Sequence, residues 1–298
     1  MSCYSTGKTG NKYCVQGTIY DVPTGFMFAD RGHTQTAANF LLEATWVTSI
    51  KNQTVFPVVG ENLVVGVTDE STDLTMRTYD NDTEKLVKRG KNKYRFTLAV
   101  NECLKKQLIY FDGFQEGVYL TYGEAIRGRS VDSGVNVIPQ RVSMTVIDKE
   151  KLLTSNGEGG TVDVIIQLQN PRDMNLYDYG RKMSWEVEEL DGLTEVDLAL
   201  ASGVTQTATL LTIDVTSTCY GNTKAIAGLG TANADWTLTL AGGSFASVSE
   251  STTVPGRYLF VTSGAANADK IDLVAPSTPR SDDVFVISSG AVTISGIA

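Results

Sequence analysis

The stretch LVKRGKNKYRFTLAV, Leu86 to Val100, places five cations (Lys88, Arg89, Lys91, Lys93 and Arg95) within eight positions of a 298-residue chain of net charge -9. Two readings compete for it: a grip for nucleic acid, or one wet face of a β-strand. Its second half decides. Tyr94, Phe96, Leu98 and Val100 alternate with Lys93, Arg95, Thr97 and Ala99. Successive side chains of a strand point to opposite faces, so period two over eight residues is a strand with one face in a core. The cations then share the exposed face or lie in the turn around Gly90. The stretch reads as a solvated or subunit-facing strand, not as a loop closed on phosphates.

On either side of this strand the pattern changes. Downstream, NECLKKQLIYFDGF sets Cys103, Leu104, Gln107, Leu108 and Phe111 on one helical stripe, with Asn101 as a cap and Asp112-Gly113 as a stop. Upstream, ENLVVGVTDESTDLTMRTYD has β-branched residues between acidic turn signals, which is strand chemistry. Earlier still, TQTAANFLLEATWVTSI spaces Ala37, Phe40, Leu41, Ala44, Val47 and Ile50 for a one-sided helix or arm, with Thr34 or Thr36 as its cap. Four further strands are expected in GVYLTYG, VNVIPQRVSMTVID, TVDVIIQLQN and KMSWEVEEL. Pro139 implies an edge or a bend in the second. The near-continuous apolar run of the third implies burial on both faces. KEKLLTSNGEGG reads as the turn between the second and third.

Near Leu190 the composition shifts. DGLTEVDLALASG reads as a linker, and beyond it the chain is rich in Thr, Ser, Ala, Gly and Val. About seven short β pieces follow at 8–12 residue spacing, from TATLLTIDVTS to AVTISGI, which is the pattern of an immunoglobulin-like sandwich. Trp236 and Tyr258 are its expected core aromatics. The sequence therefore predicts a mainly β protein with a small α component: a β-rich domain over 1–192 with an N-terminal arm, a linker over 193–203, and a β-sandwich over 204–298.

Charge limits the partners. Up to Leu190 there are 21 Lys and Arg against 24 Asp and Glu; from Asp191 onward there are 4 against 10. An acidic surface repels phosphate backbones. No run approaches the roughly 18 apolar residues of a membrane helix, so no membrane insertion is expected. The first residues carry no apolar secretory segment, and folding in a cytosol is the expectation. Cysteines at 3, 14, 103 and 219 match no common zinc spacing, and the single histidine, His33, leaves few ligands for a Cys/His cluster. Reduced, mostly buried thiols are expected, with no metal and no cofactor.

Catalytic patterns are weak throughout. GEGG at 157–160 and GLG at 228–230 lack the strand-to-helix setting of a phosphate loop and read as turn glycines. A Ser-His-Asp triad would depend on His33, which follows Asp30-Arg31-Gly32 in a turn, and no G-x-S-x-G elbow supports it. Glu188-Glu189 and Asp282-Asp283 are adjacent and would face opposite ways on a strand. No enzyme is expected. In GEAIRGRSVDSG the cations Arg127 and Arg129, with Asp132 and Arg141, make either a polar subunit contact or a solvated loop, and both readings stand.

Taken together, the arm FLLEATWVTSIKNQTVFPV, the charged hairpin LTMRTYDNDTEKLVKRGKNKYRFTLAV, the short helix CLKKQLIYF and the acidic C-terminal module give a layout that resembles the major tail tube proteins of tailed bacteriophages. The resemblance rests on architecture and local texture over the whole chain. It implies a tail-tube-like β-barrel or sandwich with a packed helix, followed by an Ig-like sandwich. It also implies homohexameric rings stacked into a tube in the virion tail, assembled in the bacterial host cytoplasm. The lumen would hold the tape measure protein and pass DNA during ejection. Tail completion proteins and weak glycan contacts through the C-terminal domain are further implied partners. The cations Lys88, Arg89, Lys91, Lys93, Arg95, Arg127 and Arg129 are then candidates for a subunit interface, facing an acidic stretch such as Asp80 to Glu84 of a neighbour. Reversal of Lys91, Lys93 and Arg95 is expected to block assembly of a folded monomer. Rival readings are another virion part (a head decoration, neck ring or tail-fibre protein), a nucleic-acid binder built on the cation cluster, or a carbohydrate-active hydrolase with an accessory domain.

Overall fold

The structure is a computed structural model that describes residues 22–30, 32–60, 63–73, 75–78, 84–88, 90–99, 104–105, 108–109, 111–113, 117–132, 135–148, 161–169, 178–190, 192–219, 222–275 and 286–297. It is a mainly β-sheet fold. The chain divides into two compact units. One comprises Met1–Leu42, Val58–Ala99 and Ile109–Leu190; the other comprises Glu43–Pro57, Val100–Leu108 and Asp191–Ala298. Two segments that the sequence reading kept with the N-terminal part thus group with the C-terminal one.

Up to Leu190 the strands are β1 (Gly25–Ala29), β2 (Gln35–Thr36), β3 (Val55–Val58), β4 (Val64–Asp69), β5 (Thr75–Thr78), β6 (Glu84–Lys88), β7 (Lys93–Ala99), β8 (Gly117–Tyr122), β9 (Ala125–Val131), β10 (Asn136–Ile138), β11 (Gln140–Asp148), β12 (Thr161–Leu168) and β13 (Asp178–Lys182). The principal sheet runs β2-β10-β9-β8-β11-β12-β7-β4, with β1 added to β8 and β13 to β9. It curls but does not close, so the barrel expected from the resemblance is not formed within one chain.

The bend expected at Pro139 falls between β10 and β11. There β11 changes neighbours, pairing with β8 at Gln140 and Arg141 and with β12 from Val142 to Asp148. Pro139 packs so closely on the start of β8 that a Cβ on Gly117 would lie 2.2 Å from its Cγ. The opening strand behaves as its alternation predicts: Tyr94, Phe96 and Leu98 are buried, and Lys93, Arg95, Thr97 and Ala99 are half-buried. The apolar run Val162–Ile166 of β12 is buried on both faces. Aromatic rings fill the core of this unit. Phe26 meets Phe96 edge-on at 4.8 Å between centroids, and Phe40 meets Tyr179 at 5.3 Å.

The arm helix starts later than its spacing suggests. Asn39–Leu41 is a 3-10 turn, with the Asn39 N–H donating to Thr36 Oγ1 at 3.2 Å. The chain extends at Leu42, and α1 occupies Glu43–Lys51. That break rotates the stripe, so Trp46 and Ile50 are buried while Leu41 and Leu42 are exposed. Of the second expected helix, Leu104, Lys105, Leu108 and Ile109 are helical, with Leu108 buried; Cys103, Gln107 and the cap Asn101 lie outside the described residues. Of KMSWEVEEL only Lys182 is in a strand. The strand is the preceding β13, and Val187–Glu189 turns as a 3-10 helix around buried Val187. The turn KEKLLTSNGEGG lies outside the described residues.

In the C-terminal unit the strands are β14 (Thr194–Leu200), β15 (Leu210–Cys219), β16 (Asn222–Ala225), β17 (Trp236–Thr239), β18 (Ser244–Glu250), β19 (Arg257–Ser263), β20 (Lys270–Leu273), β21 (Val286–Ser288) and β22 (Val292–Thr293). The segment read as a linker, 193–203, contains β14, because Val196, Leu198 and Leu200 at period two supply an apolar face to the core. One sheet runs β18-β19-β15-β14-β21, with β16 on β15, and a second runs β17-β20-β22. They share a core of Leu211, Ile213, Val215, Trp236, Tyr258, Phe260 and Ile271 among others. Trp236 donates its Nε1–H to Gly230 O at 2.7 Å.

Candidate functional site

β4 and β7 are antiparallel from Val64↔Leu98 to Asp69↔Tyr94, the Thr72↔Lys91 bridge follows, and β5 and β6 pair from Thr75↔Lys88 to Thr78↔Glu84. The cation-rich stretch is thus one side of a two-stranded ribbon. Gly90 lies tight against the opposite side; a Cβ there would meet Thr72 O at 2.0 Å. The ribbon is pinned through Glu70 and Thr72, whose N–H groups donate to Lys93 O at 2.8 Å and Lys91 O at 2.9 Å. Lys93 N–H donates to Ser71 Oγ at 3.0 Å.

The side chains of β7 carry the central feature. Lys93 Nζ lies 2.6 Å from Glu70 Oε2, and the Arg95 Nε–H donates to the same carboxylate at Oε1. Arg95 Nη1 then reaches Asp163 Oδ2 on β12 at 3.0 Å, while Thr97 Oγ1 donates to Asp163 Oδ1 at 2.9 Å. Asp163 is fully buried. The hydrogen bonds from Lys93 and then Arg95 hold the Glu70 carboxyl below its usual range, and those to Glu70 and Asp163 hold the Arg95 guanidinium above its own. Two cations and two carboxylates make one network that joins β7, β12 and Glu70, the residue after β4.

The remaining interface candidates are spread around this network. Lys91 is exposed at the bridge. Lys88 is the last residue of β6, and Arg89 lies outside the described residues. Of the proposed acidic partner stretch, Asp80 to Asn81, Asp82 and Thr83 also lie outside them. Arg127 and Arg129 share one face of β9 and are half-buried. The Arg127 guanidinium stands 5.9 Å from the Tyr122 ring centroid, at the outer limit of a cation–π contact. It also lowers the Tyr94 hydroxyl pKa against the larger upward push of burial. Tyr94 and Lys93 point to opposite faces of β7, so Arg127 is grouped with Tyr94 and not with Lys93 and Arg95.

Sequence reading missed Glu70 and Asp163, the two residues that govern these cations. A signal for Asp163 was present: a lone carboxylate inside VDVIIQL must find donors if the strand is buried on both faces. Glu70 sits among acidic turn residues, and nothing in sequence singles it out from Asp69 or Asp73.

His33 is half-buried, with Nδ1 2.9 Å from the Tyr119 hydroxyl. Gly228 of the GLG run is a turn glycine at φ +76°. Glu250 accepts from its N–H at 3.0 Å and from Gly256 N–H at 3.1 Å. Glu188 and Glu189 lie in the 3-10 turn; Asp282, Asp283 and the GEGG run lie outside the described residues. Among the described residues no group of three or more His, Cys, Asp or Glu side chains converges to hold a metal, and no helix is long and apolar enough to cross a membrane. Compared with protein-family models, curated proteins and solved structures, the chain matches none.

Proposed function

We propose that this chain is a structural virion protein of the tail tube class, whose copies form rings that stack into a conduit for DNA. The observation that carries the reading is the principal sheet, which curls yet leaves β2 and β4 as ends that do not pair with each other. A curled sheet with open borders is completed by neighbouring copies in a head-to-tail ring, which removes the exposed edges. The two-stranded ribbon of β5 and β6 then serves as a contact element between subunits or rings. The tape measure protein and passing DNA are the proposed occupants of the lumen, and tail completion proteins the proposed partners at its ends.

The C-terminal unit is read as an immunoglobulin-like module. Support comes from strand order: β14-β15-β19-β18 corresponds to an A-B-E-D sheet and β17-β20-β22 to a C-F-G sheet. The tryptophan that such domains bury on the C strand has its counterpart in Trp236, the first residue of β17. On this reading the module decorates the outside of the tube and makes weak glycan contacts.

Negative-stain microscopy of the concentrated full chain tests the proposal. Open-ended tubes are the expected result. A monomer at every concentration overturns it, and closed rings that never stack reassign the chain to another virion part.

A further inference from the structure

We infer that Glu70 acts as an in-chain neutraliser of β7, so that the cation-bearing face of the β4–β7–β12 sheet turns polyanions away and becomes a phosphate-binding surface only when that carboxylate is removed. The inference concerns this face alone and does not depend on whether copies of the chain stack.

Lys93 and Arg95 have little charge left to offer. Lys93 and Arg95 both bond Glu70, and Arg95 also bonds Asp163. Their side chains are 33% and 30% accessible, so solvent reaches the pairs only in part and salt screens them less than open surface pairs. The Glu70 backbone is fixed beside β7, its N–H donating to Lys93 O at 2.8 Å, and its carboxylate is held there by the two cations it bonds. On the same face Gln167 of β12 and Ser143 and Thr145 of β11 are uncharged, and the next residue of that face along β11, Arg141, is an exposed cation outside the Glu70 network. A phosphate approaching Lys93 must therefore displace a tethered carboxylate or sit against its charge. Binding to nucleic acid is driven by cations that release counterions, and a cluster of two cations and two carboxylates has none in surplus.

The test is retention on heparin and on a short fluorescent DNA duplex, measured for the full chain between 20 and 200 mM salt, about the range over which phosphate contacts are lost. Wild type is expected to show no retention attributable to this face, and Lys93→Gln no change from wild type. Glu70→Gln is expected to gain retention and Glu70→Lys more, with a log–log salt slope steeper by about 1 for each cation exposed. Lys93→Gln in the Glu70→Gln background is expected to reverse the gain. Circular dichroism confirms that each variant is folded. The inference is overturned if wild type binds DNA in a way that Lys93→Gln abolishes, or if folded Glu70→Gln and Glu70→Lys proteins both behave as wild type.

Discussion

Asp163 and Thr97 stand directly opposite each other on β12 and β7, and the threonine hydroxyl donates to the carboxylate across 2.9 Å. With Arg95 on its other oxygen, this fully buried acid is satisfied by one neighbouring strand. Replacement by alanine leaves the hydroxyl and the guanidinium without that acceptor, at about 1–3 kcal/mol for the buried polar group. Asp163→Ala is expected to lower the urea midpoint accordingly, and Thr97→Val in the same background to add less than it does alone. Additive effects would show that the two residues do not act as a pair.

A pH dependence follows from His33. Burial holds its imidazole below the ordinary value of 6.5, and nearby Asp30 opposes that only in part. The unfolded chain therefore binds a proton that the folded chain refuses. The His33 contribution is complete above pH 6.5 and is lost as pH falls through 6.5 toward the folded value, at up to about 1.4 kcal/mol per pH unit. It is the only histidine in the chain. Glu70 acts in a separate, more acid window, below its unfolded value of 4.5. Denaturation at pH 7.5, 6.5 and 5.5, values chosen about the ordinary histidine pKa, is expected to show falling stability, and His33→Gln a flat profile. A flat wild-type profile rules the mechanism out.

What was legible in sequence followed the strength of periodicity. The alternation over Tyr94–Ala99, the apolar run of β12 and the seven C-terminal pieces each hold a strand, because burial of one or both faces leaves a pattern in the residues themselves. β14 was mistaken for a linker because its short apolar positions are diluted by Thr, Glu and Asp. The sequence leaves β9 open between a polar subunit contact and a solvated loop, since half-buried arginines at alternate positions look wet when Tyr122 and the strand partners are not in view. The charge network was not legible at all. It joins residues 70, 93, 95 and 163, and only the pairing of β4, β7 and β12 brings them together.

The C-terminal core turns on Trp236, which lies 4.9 Å from the Phe260 ring and 5.3 Å from Tyr258 between centroids. Trp236→Ala is expected to destabilise by about 3–5 kcal/mol, through a large cavity. Tyr258→Phe keeps the ring but removes the hydroxyl that accepts from Leu229 N–H at 2.9 Å and donates to Ile226 O at 3.3 Å. A loss of about 1–3 kcal/mol is expected for the stranded amide. Calorimetry separates the two magnitudes; a loss at Trp236→Ala no larger than that at Tyr258→Phe would show that the indole does not anchor this core.

The charge network limits which cations can probe assembly. Reversing Arg95 would put a second acid beside buried Asp163, and reversing Lys93 would put one beside Glu70, so either substitution disturbs the monomer before any interface is reached. Lys91 offers a cleaner probe. It is exposed, and its backbone alone holds the ribbon, through Thr72 Oγ1 at 3.0 Å and the Thr72 N–H at 2.9 Å. On the tail tube reading, Lys91→Glu is expected to leave the melting temperature within about 1 °C, as surface substitutions away from packed features do. It is expected to shorten or abolish tubes in negative stain, with Lys91→Gln intermediate. Tubes of wild-type length from Lys91→Glu would remove this cation from the subunit interface and shift the search to Arg127 and Arg129 on β9.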